Sequence, residues 1–119
     1  MRTITKDDVE ITVRAEQDEI EVRGNALASG DDAADRECED EILARLERGD
    51  VWAWAAVTVR VTWTAPSGRQ YRGEDHLGAC SYRDERDFRE PGGYFDDMVG
   101  EALSRLNVEL AELAEDVAT

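Results

Sequence analysis

The 119-residue sequence predicts an α+β fold: an antiparallel sheet with two amphipathic helices packed on it in a two-layer arrangement. Three observations predict it. Residues 51–64 alternate with period two: Val51, Ala53, Ala55, Val57, Val59, Val61 and Trp63 are all apolar, whereas Trp52, Trp54, Ala56, Thr58, Arg60, Thr62 and Thr64 are mixed and then polar. That is the pattern of a long strand with one dry face. Residues 31–48 and 94–117, on either side of it in sequence, repeat apolar residues at helical spacing instead, and supply the cover a dry face needs.

The chain is expected as one domain over 1–119, large enough for a single core. Within the N-terminal strands, 1–24, Ile4 opens an extended stretch and Asp7-Asp8 reads as a turn. Val9, Ile11, Val13 and Ala15 then alternate with Glu10, Thr12 and Arg14 as a half-buried strand, and Ile20-Glu21-Val22 starts another, so the block reads as a hairpin or meander. Gly24-Asn25 and Ser29-Gly30 are loop signals. The first helix, 31–48, can be capped by Ser29, Asp31 or Asp32. Its stripe is Ala34, Cys38, Ile42 and Leu46 with Leu43 beside them, and Gly49 ends it.

Residues 51–82 form the central hairpin, turning at Ala65-Pro66-Ser67-Gly68. Its return strand is expected to break near Gly73 and to point Tyr71, Leu77 and Ala79 inward. Residues 82–90 suit a short helical turn with Phe88 tucked in, and Pro91-Gly92-Gly93 breaks the chain. Phe95, Met98, Val99, Ala102, Leu103, Leu106, Leu110, Leu113 and Val117 line one side of the last helix, 94–117. Its final turns could pack on the sheet or form a homodimer seam, so monomer and homodimer both stay open.

Charge is the loudest feature. The net charge is −15, Lys6 is the only lysine, and the other cations are arginine. Phosphates would be repelled, so direct binding to nucleic acid or to an anionic membrane is disfavoured and a basic surface is the expected partner. No apolar run reaches the length of a membrane helix. Met1 leads into a polar segment with no secretory pattern, so the expected location is cytoplasmic, with Cys38 and Cys80 reduced.

No motif carries catalysis, and no cofactor or metal is expected. His76, the single histidine, stands too far along a strand from Cys80 for a dyad. No calcium-loop, C-x-x-C or H-E-x-x-H spacing occurs among the carboxylates and cysteines, and no glycine-rich phosphate loop precedes a helix. Arg48-Gly49-Asp50 spells an adhesion tripeptide, but between a helix end and a strand it carries no weight. Trp52 and Trp54 fall on the face opposite the valines, either covered by a helix or the N-terminal hairpin, or exposed as an aromatic anchor. Glu101, Glu109, Glu112, Glu115 and Asp116 mark the outer side of the last helix, and the first helix with its preceding loop offers a second acidic face.

Spread evenly, the charge averages about one per 400 Å² against roughly one per 100 Å² on duplex DNA. A likeness to DNA therefore needs the acids gathered on one face. The phrases GNALASGDD, EDEILARLERGDVWAWAAVTV, DHLGACSYRDERDF, PGGYFDDM and EALSRLN resemble small acidic proteins carried by phages, prophages and plasmids, over most of the chain beyond Gly24. The resemblance transfers no site residue. It implies a mobile-element setting, in which acidic proteins of the anti-restriction and anti-CRISPR kind imitate DNA. The expected function is a non-enzymatic acidic protein that blocks the basic, nucleic-acid-binding surface of a defence or host protein. Two rivals stand beside it: a salt-adapted housekeeping domain, and a small ligand-binding or enzymatic domain with a pocket near His76 and Tyr82.

Overall fold

The computed structural model describes residues 3–118, with side chains as far as Ala114. Three strands, β1 (Glu10–Gln17), β2 (Ala55–Thr64) and β3 (Gln70–Cys80), and three helices, α1 (Asp32–Glu47), α2 (Glu85–Phe88) and α3 (Tyr94–Ala118), make up the α+β fold, with single 3-10 turns at Lys6–Asp8 and Val51–Ala53. The sheet is antiparallel in the order β1-β2-β3. Contacts from Thr58 to His76, Arg60 to Glu74 and Thr64 to Gln70 step in opposite directions along β2 and β3 and fix their register. β2 is central, and Ala55, Val57, Val59 and Val61 are buried while Thr58, Arg60 and Thr62 between them are half-buried. The dry face expected of this strand is there.

The strand begins later than its alternation suggests. Gly49 (φ 82°) ends α1, the Arg45 guanidinium pairs with Asp50 at 2.8 Å, and Ala53 N–H and Trp54 N–H donate back to Asp50 and Val51 carbonyls. Val51–Ala53 thereby coils into a 3-10 turn. The expectation that Trp52 and Trp54 share one strand face is corrected, because an unbroken apolar run fits a helical turn as well as a strand.

Ile20-Glu21-Val22 likewise forms no strand. Asn25 and Ala26 N–H both donate to the Val22 carbonyl and close a turn there, and β1 pairs with β2 instead of folding into a hairpin of its own. Gly73 does not interrupt β3 but lies buried within it. Ala79, expected inward, is exposed with φ 51°.

Contacts divide the chain into two compact units, each holding a length of every strand. One comprises the chain up to Val13, Thr58–His76 and the chain from Arg89 onward. There α3 buries Met98, Val99, Ala102, Leu106 and Leu110 and lies on Gly73, where any Cβ would collide with the Ala102 carbonyl oxygen. Asn107 bonds both backbone groups of Ile4 at 2.9 Å, and Trp63 stacks on Tyr71 at 5.8 Å.

The other unit comprises Arg14–Val57 and Leu77–Phe88. Of the three candidates, Ser29, Asp31 and Asp32, it is Asp31 that caps α1, through Ala33 and Ala34 N–H. Ile42 packs with Val22, Ala53 and Trp54, flanked by Cys38, Leu43 and Leu46, while Ala34 at the head of the expected stripe is exposed. Phe88, 1 % exposed, closes against Trp52 and Tyr82.

Candidate interaction surface

Trp54 is no surface anchor. It is 3 % exposed, packed on Ile42 and Val22, and its indole N–H donates to the Ile20 carbonyl at 2.8 Å. Buried indoles keep such a partner because an unmet N–H in an apolar site is costly. The expected role of Trp54 as an exposed contact is corrected to a core role. Trp52 is half-buried, with ring centroids 6.4 Å from Tyr82 and 5.5 Å from Phe88, and the Tyr82 N–H holds the Trp52 carbonyl. The two tryptophans therefore do not form one aromatic patch.

The acids stand differently. On α3, Asp96, Asp97, Glu101, Glu109 and Glu112 are all exposed. The helix carries one cation, Arg105, and that side chain is already engaged: it donates to the Glu74 carbonyl at 2.8 Å and pairs with Asp75 and Glu101. Asp97, Glu109 and Glu112 have no ion-pair partner among the described residues. The side chains of Glu115, Asp116 and Val117 lie outside the described residues. On α1, Asp32, Glu37, Glu41 and Glu47 are exposed, and Asp40 meets Arg23 at 2.6 Å.

Two carboxylates missed in the sequence hold local structure. Glu39, on the same helix, is buried, and it accepts Gly24 N–H at 2.7 Å and an Arg23 N–H at 3.1 Å. The Gly24 N–H first, then Arg23, hold its carboxyl below the usual range. Asp18 accepts Ile20 N–H at 2.9 Å and Ala79 N–H at 2.6 Å, and these bonds lower its pKa in that order. The second bond fastens Ala79 in its left-handed conformation. Both were hidden among many carboxylates. The only signal was the adjacency of Glu39 to a core position, Cys38.

His76 is exposed on β3 with Nδ1 3.1 Å from Thr58 Oγ1, while Tyr82 belongs to the other unit, packed on Phe88. Cys38 and Cys80 are free thiols. Cys80 donates to the Ala55 carbonyl, and burial pushes its thiol up to about 11, which suits packing rather than nucleophilic chemistry. Among the described residues no group of three or more His, Cys, Asp or Glu is placed to hold a metal, and no helix is long and apolar enough to cross a membrane. What the surface offers is uncompensated negative charge. Comparison of the chain with protein-family models, curated proteins and solved structures gives no match.

Exposed area sets how concentrated that charge must be. A net charge of −15 over 7960 Å² averages one per about 530 Å², sparser than the sequence alone suggests and several-fold below duplex DNA. Any imitation of a polyanion must rest on the helical faces.

Proposed function

We propose that this chain is a non-enzymatic acidic binding protein that occupies a basic, nucleic-acid-binding surface on a protein partner and blocks it, in the manner of an anti-restriction or anti-CRISPR DNA mimic. One observation carries the reading: the exposed carboxylates of α3 face solvent with their single arginine already spent on Glu74, Asp75 and Glu101. Uncompensated charge of one sign steers an oppositely charged partner to contact and gives association that weakens with salt. The likeness of phrases such as DHLGACSYRDERDF to phage- and plasmid-borne proteins supports a mobile-element origin and a defence or host protein as the partner.

Reversing two charges on this face tests the reading. Glu109→Lys with Glu112→Lys is expected to weaken capture of the partner from host lysate about tenfold or more, while the denaturant midpoint moves little, since both side chains are exposed. Undiminished capture by the double variant would contradict it.

A further inference from the structure

Within the unit that holds α1, residues 17–23 run over Trp54 and leave a groove of about 500 Å³, inside the size range of ligand sites. Leu43, Leu46, Val22 and Trp54 line it, and Ile20, 48 % exposed, stands at its edge. The indole N–H is already given to the Ile20 carbonyl and Trp54 is buried, so it forms an apolar floor beneath the groove. Of the charged groups around it, Asp18 is committed to two backbone N–H groups and Arg23 to Glu39 and Asp40. Glu19 and Glu21 remain, both exposed and without an ion-pair partner among the described residues.

We propose that this groove docks a short basic segment of a partner protein, with one aliphatic or aromatic side chain between Ile20, Leu43 and Leu46 and a neighbouring Lys or Arg on Glu19 and Glu21. Charge complementarity selects this occupant. A fatty acid or a nucleic acid would bring its anion to two uncommitted carboxylates, and a second copy of the chain would bring a net charge of −15. A basic peptide meets both parts of the site: an apolar centre that drives affinity and a charged rim that sets orientation. The inference rests on the proposed function and names the surface that would grip the partner. It leaves α3 to steer.

The test uses the full chain, labelled with nitrogen-15, and two short synthetic peptides, one alternating arginine with leucine and one of arginine alone. Proton–nitrogen correlation spectra follow the backbone of residues 18–23 and the Trp54 indole N–H. The mixed peptide is expected to shift these signals and to bind about tenfold more weakly to Ile20→Ser, which removes one exposed apolar side chain from the edge. Glu19→Gln with Glu21→Gln is expected to weaken it as well. Equal binding of both peptides, with shifts scattered over the acidic helices, would overturn the groove while leaving the broader acidic-binding reading intact. Absence of any shift at 18–23 would also overturn it, whereas capture that survives charge reversal on α3 would count against the broader reading instead.

Discussion

At Gly73 a Cβ would collide with the Ala102 carbonyl oxygen and stand 3.0 Å from the Leu106 nitrogen, both backbone atoms of α3 that have no flexible end to yield. Gly73→Ala is therefore expected to cost about 3 kcal/mol or more, at the upper end for overpacking, read as a lowered denaturant midpoint. Gly100 is the opposite case. It lies exposed inside α3 and its Cβ would meet nothing within 4 Å, so Gly100→Ala should stabilise by about 0.4–1 kcal/mol through lost freedom of the unfolded chain. Asp18 supplies a pH dependence of fixed sign. Its folded pKa lies below the ordinary 3.8, so the stability from its bonds to Ile20 and Ala79 is present above that value and lost as pH falls through it toward the folded pKa. Denaturant midpoints measured from neutral pH down through about pH 3 should fall less steeply for Asp18→Asn than for the wild type. Parallel curves would exclude Asp18 as a source of that slope.

Among the elements, those with one clean period were legible in the residues. β2 alternates in twos from Ala55 onward, and α3 repeats Met98, Ala102, Leu106 and Leu110 every four, so the burial of each could be foreseen. α1 was legible from its ends, with Asp31 among three candidate caps and Gly49 after its last turn, more than from its narrow stripe. The residues are ambiguous where two structures satisfy the same pattern. Val51-Trp52-Ala53 is apolar throughout, and the Arg45–Asp50 pair with the backbone bonds to Asp50 and Val51 decide for a 3-10 turn, which separates Trp52 from Trp54. The same holds at Ile20-Glu21-Val22, where alternation over three residues is too short to fix a strand against the turn closed at Val22. For the candidate surface, the acids of α3 were visible as helix positions away from the apolar stripe. The groove was not, because Leu43 and Leu46 meet Ile20 and Trp54 only through the folded chain.

For the whole molecule, net charge is the property that a partner could use. A surface of this sign resists self-association and anionic ligands, and its pull on a basic protein is screened over about 10 Å at moderate salt. A salt-adapted domain would share the composition but would depend on molar salt to fold. On the proposed function, this protein and nucleic acid would compete for one basic face of the partner. The most direct measurement retains a partner from host lysate on the immobilised protein, washes with duplex DNA at low salt, and follows with steps of rising salt. One nucleic-acid-binding protein is expected, displaced by the DNA and otherwise released at moderate salt. A bound protein that duplex DNA fails to displace, or a column that retains nothing, would contradict it.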